Sequence, residues 1–121
     1  MINISVQESE AFDRLSILEV KKINSSPLQQ QTIQKQIQEL QEIISKGIGS
    51  IRAMQIYRSP EYKHLLEINS KLFLYVEKAK KNEVTAKQVD DEVYNRHLAK
   101  KNIQKVFFNN EMNEIKIGYG K

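Results

Sequence analysis

The sequence predicts a mostly α-helical domain: an antiparallel bundle of four main helices, with short N- and C-terminal strands that pair with each other. Three observations predict it. Helix-start signals recur four times, apolar residues recur at helical spacing between them, and period-two alternation is confined to the two ends.

At the N-terminal end, Ile2-Asn3-Ile4-Ser5-Val6 alternates apolar and polar residues, the pattern of a strand with one buried face. Ser5-Val6-Gln7-Glu8 then reads as a capping box, opening a helix over 8–23. Ser26-Pro27-Leu28-Gln29 repeats that signal with proline at the first helical position and opens a helix over 27–46. Gly47 and Gly49 punctuate its end. The segment Ser50 to Tyr57 reads as either a short fifth helix or a connector. Ser59-Pro60-Glu61 opens a helix over 60–81, and Thr85-Ala86-Lys87-Gln88 opens the last, over 86–109. Ile115-Lys116-Ile117-Gly118-Tyr119 alternates again. Two lone strands at opposite ends of a helical chain satisfy their backbones most simply by pairing.

The 121 residues fit one domain, 1–121. A chain of this size buries roughly two-thirds of its unfolded surface and needs no staple. It has no cysteine, which excludes disulfides, thiolate metal sites and a cysteine nucleophile. That fits a reducing, cytoplasmic setting. No signal peptide is visible, and the longest apolar stretches are too short to span a bilayer, so no membrane partner is expected. The net charge of +4 comes from 19 basic and 15 acidic residues interspersed along the chain. This is not the one-sided field of a dedicated nucleic-acid binder. Lysine greatly outnumbers arginine, a bias that an AT-rich genome produces without selection for function. The glutamines at 29–31, 34, 36, 38 and 41 line the face away from Ile33, Ile37, Leu40 and Ile44, as a solvated helix face does.

Three helices carry polar residues where a core is expected. In 8–23, Phe12, Leu15, Ile17, Leu18, Val20 and Ile23 cover most of the circumference. Ser16 and Glu19 fall inside that arc, and Asp13 sits between Ile17 and Val20. In 60–81, Asn69 interrupts the stripe of Leu65, Leu72 and Val76. In 86–109, Arg96 and Lys100 project from the face of Val89, Val93, Ile103 and Phe107, with His97 at its border. A buried unpaired charge costs several kcal/mol or neutralises itself. Acid on the first helix and base on the last are complementary. The expectation is therefore one polar network of Asp13, Ser16, Glu19, Asn69, Arg96 and Lys100, with Glu10 as a further candidate ligand-binding residue. Such a network either fixes helix register or forms a polar pocket for an anionic or amide-bearing ligand. A third reading lets Arg96 and Lys100 snorkel to water.

The run Glu10-Ala11-Phe12-Asp13-Arg14-Leu15-Ser16-Ile17-Leu18-Glu19-Val20-Lys21 resembles the signature of a family of small, mostly bacterial helical proteins with no established activity. That signature is Glu-x-x-Asp-(Lys/Arg)-(Leu/Ile)-(Ser/Thr)-Ile-Leu-Glu-(Ile/Val)-Lys, and every fixed position is met. Asn69, Leu72 and Phe73 resemble a further Asn-Leu-aromatic feature of the family. Tyr94, His97 and Lys100 resemble a Tyr-Asn-basic feature loosely, with His97 standing where asparagine is usual. Glu114, Lys116 and Tyr119 echo a closing strand. The resemblance implies no reaction. Its members accompany glycosyltransferase-like or tetratricopeptide-type proteins, and it points to Asp13, Ser16, Glu19 and Asn69.

Three functions compete. The first is a non-enzymatic binding or accessory module holding a protein partner or a small polar ligand, with no cofactor. The second is an Mg²⁺-dependent enzyme resembling the all-α nucleotide pyrophosphohydrolases, in which paired carboxylates on facing helices share the metal. Glu10-x-x-Asp13 and Glu39-x-x-Glu42 have that spacing, but the second pair lies off the apolar face and the order is reversed. The third is weak nucleic-acid binding through Lys78, Lys80, Lys81, Lys100, Lys101 and Lys105, with Tyr57, Tyr62 and Tyr75 as stacking platforms. His64 and His97 lack metal-ligand spacing, and Gly47-Ile48-Gly49 is too short for a phosphate loop. Wide apolar arcs are compatible with a homodimer.

Overall fold

The computed structural model describes residues 2–108 and 114–119, and the side chains of 6–108. The order is β1 (Ile2–Gln7), α1 (Glu8–Ile23), α2 (Pro27–Ile48), α3 (Ser50–Tyr57), α4 (Pro60–Lys80), α5 (Ala86–Phe108) and β2 (Glu114–Tyr119). The chain is mostly helical. β1 and β2 pair antiparallel in a two-stranded ribbon, with Ile4 opposite Ile117 and Val6 opposite Ile115.

Three of the four helix-start signals act as the sequence predicts. Ser26 and Gln29 bond reciprocally at 3.4 Å in each direction. Ser59 Oγ accepts from the Tyr62 amide at 3.1 Å. Thr85 Oγ1 accepts from the Gln88 amide at 3.2 Å, and the Gln88 side chain accepts from the Thr85 amide at 2.8 Å. Each cap satisfies amide groups that the first helical turn leaves without partners. The expected capping box at Ser5 does not form. Ser5 lies in β1, and α1 begins at Glu8 with Gln7 as its cap and no side-chain cap bond. The strand runs directly into the helix, so Ser5 stands two residues before the cap position, within the stretch that pairs with β2.

The second helix also runs past its expected end. Gly47 is helical, and the break falls at Gly49, whose φ of +91° only glycine adopts readily. The 50–57 segment is a helix, α3. At the end of α4, Asn82 takes the left-handed conformation (φ 59°). Its amide bonds Ala79 O, and the Glu83 amide bonds Lys78 O, the paired bonds of a Schellman turn.

The core is one cluster to which every helix contributes: Phe12 and Leu15 from α1, Ile44 from α2, Ile56 from α3, Leu65 from α4, and Ile103 and Phe108 from α5. Each such side chain, fully buried, contributes roughly 1.5–3 kcal/mol. Tyr57 and Tyr62 pack edge-on against Phe12, with ring centroids 5.5 and 6.1 Å away. Tyr62 belongs to the core, and Tyr57 packs against it half-buried. Three residues assigned to apolar stripes, Ile23, Val76 and Val93, are exposed instead. The Gln-rich α2 keeps Ile37, Leu40 and Ile44 inward, as its pattern requires. Asn109, the last residue of the fourth expected helix, lies outside the described residues, as do the side chains of Glu114, Lys116 and Tyr119. Among the described residues no helix is long and apolar enough to cross a membrane.

Candidate functional site: a buried polar network across three helices

Asp13 is fully buried on α1. A buried carboxylate needs hydrogen-bond partners for its lone pairs, and Asp13 has them. Oδ2 accepts from Arg96 Nε at 3.2 Å and Nη2 at 2.9 Å, both from α5. Lys100 Nζ stands 3.8 Å from the same oxygen. Oδ1 accepts from Asn69 Nδ2 of α4 at 3.0 Å. Two guanidinium N–H groups on one oxygen form a charge-assisted contact, stronger than a neutral bond.

Ser16, also fully buried, donates from Oγ to the Asp13 carbonyl at 2.7 Å and accepts from Asn69 Nδ2 at 2.6 Å. Since the hydroxyl proton is committed to a carbonyl, the serine can only accept from Asn69. The amide orientation of Asn69 follows from these partners: Nδ2 must face Asp13 and Ser16, which leaves Oδ1 facing away. No protein group among the described residues bonds that Oδ1.

Glu10, one turn before Asp13, extends the charge chain. It pairs with Lys100, and with Arg14 at 3.5 Å. Burial raises its carboxyl pKa, but the Lys100 bond and charge, helped by Arg14, outweigh that and hold it below the usual value. The order Arg14–Glu10–Lys100–Asp13–Arg96 alternates in sign.

One expected member stands apart. Glu19 does not join Asp13. Its Oε2 accepts from the Tyr62 hydroxyl at 2.9 Å. Six residues beyond Asp13, Glu19 sits about 9 Å further along the helix axis, level with the start of α4 and out of reach of Arg96. Burial raises its pKa above the ordinary carboxylate value, against a smaller lowering by the Tyr62 bond. Burial and the Glu19 charge in turn push the Tyr57 hydroxyl up to about 12 and Tyr62 higher still. The Tyr57 hydroxyl is buried without a hydrogen-bond partner among the described residues.

Two buried polar ties were not expected. Glu8 is buried and accepts from Gln104 Nε2 at 3.2 Å, while Gln104 Oε1 accepts from the Ser9 amide at 3.1 Å. Glu92, also buried, pairs with Lys71 of α4 at 2.9 Å, and this bond raises the lysine pKa. Glu92, Arg96, Lys100 and Gln104 are spaced four apart on α5, so four successive turns each send a polar group to α1 or α4. The interval-of-four stripe is legible in the sequence and could have found both outer members.

The network lines open space on one side. A groove of about 250 Å³ between α1, α4 and α5 is bordered by Ile17, Val20, Leu72, Phe73 and Val76, with Asn69 and Arg96 also on its wall. A larger and more polar groove of about 570 Å³ lies between α4 and α5, beside His64, Lys71 and Glu92. Glu39 and Glu42 are exposed on α2, and among the described residues no three acidic or histidine side chains are grouped to hold a metal. No protein-family model, no curated protein and no solved structure matches the chain.

Proposed function

We propose that this chain is a non-enzymatic binding or accessory module, with its four long helices arranged as an antiparallel bundle and the α1–α4–α5 groove as the binding face. One observation carries the reading. The polar network is spent internally on Asp13, yet it presents Asn69 and Arg96 to a mostly apolar groove, the composition of a small-ligand or side-chain site. Short connectors support the antiparallel arrangement, with three residues between α1 and α2 and five between α4 and α5.

The carboxylates favour this reading over metal-dependent hydrolysis. Asp13 is held by Arg96 and Asn69, and Glu39 and Glu42 face solvent. The resemblance of residues 10–21 to the small helical family remains part of the proposal, since Asp13, Ser16 and Asn69, the residues it singles out, are the centre of the network. The cysteine-free sequence fits a cytoplasmic setting.

A thermal-shift screen against nucleotides, sugars, amino acids and short peptides tests the proposal. The expected result is a ligand-dependent rise in Tm that Val76→Glu abolishes without lowering the Tm of the free protein. Mg²⁺-dependent release of pyrophosphate from a nucleoside triphosphate would overturn it in favour of an enzyme.

A further inference from the structure

Resting on the antiparallel arrangement proposed above, but not on the α1–α4–α5 groove, we infer that the outer face of α4 and α5 joins two copies of this chain. The two-fold axis runs along the helices, and Lys71 of each copy meets the partner's Glu92.

The groove of about 570 Å³ is lined by α4 and α5 alone among the described residues, so it lies on the outer side of this helix pair. Its floor is formed by Ile68 and Ala99, both buried. The small side chain of Ala99 lets a facing helix approach closely. Leu98 on the wall is about half exposed. So is Leu74, three residues beyond Lys71 on the same side of α4. A facing helix pair would remove this apolar area from water.

The charges indicate what faces the groove. Glu92 is the only buried charged residue lining it, and Lys71 already pairs with it across the groove at 2.9 Å. Lys71 Nζ also lies 5.4 Å from the Tyr75 ring centre, which helps to hold the lysine in place. A small ion therefore finds no unpaired buried charge there. A second copy finds a neutral pair laid across the groove, and such a pair is its own complement under a two-fold axis. A half-turn about an axis along the helices sets each α4 over the partner's α5 at the same level. Lys71 then faces the partner's Glu92, and the four groups alternate in sign around a ring. Each α4 also gains a second antiparallel neighbour, as in an up-down bundle.

The rest of the face agrees with this axis. Lys71 bonds Glu92, while Asn69 and Arg96 meet on the Asp13 carboxylate, so these pairs mark matching levels on α4 and α5. Glu67 then stands level with the Asn95–Leu98 turn, and it would face uncharged side chains of the partner. A two-fold axis across the helices, centred on the groove, would instead bring Glu67 beside the partner's Glu67, a like-charge contact.

Sedimentation equilibrium of the full chain tests the inference. The expected mass approaches twice the 14.1 kDa of one chain as concentration rises from micromolar to millimolar. Leu98→Glu, with an unchanged circular dichroism spectrum, should weaken the dimer about tenfold or more. Two charge variants probe the axis. Lys71→Glu alone and Glu92→Lys alone each place like charges around the ring and should sediment as monomers. Mixed, they should form a dimer of one chain of each, because both contacts between α4 and the facing α5 again oppose unlike charges. A single-chain mass at millimolar concentration overturns the inference, and so does a dimer that Leu98→Glu leaves intact. A mixture that dimerises no better than its components overturns the pairing of Lys71 with the partner's Glu92. The binding-module reading depends on the thermal-shift screen and survives each of these results.

Discussion

Removal of the Asp13 carboxylate tests whether the network locks α1 against α4 and α5. Asp13→Ala deletes a fully buried acceptor of two Arg96 bonds and one Asn69 bond. Breaking a buried ion pair from one side costs about 3–5 kcal/mol, because the partner is stranded. Here Arg96 is 31% exposed and can turn toward water, which lowers the cost, and Asn69 keeps its bond to Ser16. The expected loss is therefore about 3 kcal/mol, at the low end of that range. With a urea m-value of about 2 kcal/mol/M, the midpoint falls by about 1.5 M. The corresponding drop in Tm is about 12 °C at roughly 4 °C per kcal/mol. Urea unfolding followed by circular dichroism measures both. The double-mutant cycle with Arg96→Ala should give a coupling above about 1.5 kcal/mol, since the second truncation removes a group that the first has stranded. A single-mutant loss under about 1 kcal/mol, or strict additivity in the cycle, would refute the lock.

Other perturbations follow from individual contacts. Glu19→Gln should raise stability at pH 7. The Glu19 pKa is higher folded than unfolded, so its contribution is full below about 4.5 and lost as pH rises through the folded value. The gain should therefore shrink toward zero in unfolding curves collected below pH 4.5, and a gain independent of pH would contradict the assignment. Glu10 has the opposite sign. Its folded pKa is lowered, so its stabilisation is present above about 4.5 and lost as pH falls through the folded value. Glu10→Gln should flatten that acid limb. Tyr57→Phe removes a buried hydroxyl with no partner and should stabilise by about 1 kcal/mol, read as a higher urea midpoint. Gly49→Ala should cost about 1–3 kcal/mol through backbone strain alone, because a Cβ there would meet no atom within 4 Å. A well-tolerated Gly49→Ala would mean that the α2–α3 junction adjusts to a different φ.

The network was legible because polar residues inside an apolar arc are a conflict that packing must resolve. Asp13 and Ser16 lie within the wide apolar arc of the first helix, and Arg96 and Lys100 on another core face are the complementary charges. Periodicity gives the direction in which a side chain points and not the level at which it meets a neighbour. Glu19 points inward as expected, yet it reaches α4 at Tyr62, seven residues before Asn69. Glu8 was hidden for a different reason. Its place in a capping motif supplied a sufficient local role, and nothing local reveals that β1 continues through Gln7 and removes Ser5 from the cap. The expected ribbon was easier to read, because alternation at both ends leaves each strand one obvious partner.

The same logic separates the structural part of the cluster from the part able to act on another molecule. Asp13, Ser16 and Glu10 give their polar atoms to protein groups, and a ligand reaching them would have to displace a charge-assisted bond. Asn69 and Arg96 are different. Each is anchored on one side by Asp13 and presents its remaining edge to the groove. Anchoring removes most of the rotamer entropy that binding would otherwise cost, about 0.5–1.5 kcal/mol per side chain, so the internal pairing would also preorganise the edge that a ligand met. On the proposed function, structural lock and binding site are therefore not competing explanations of these residues. The lock sets the position of the two groups that a ligand would meet, and a variant that loosens Asp13 should weaken binding even though Asp13 never touches the ligand.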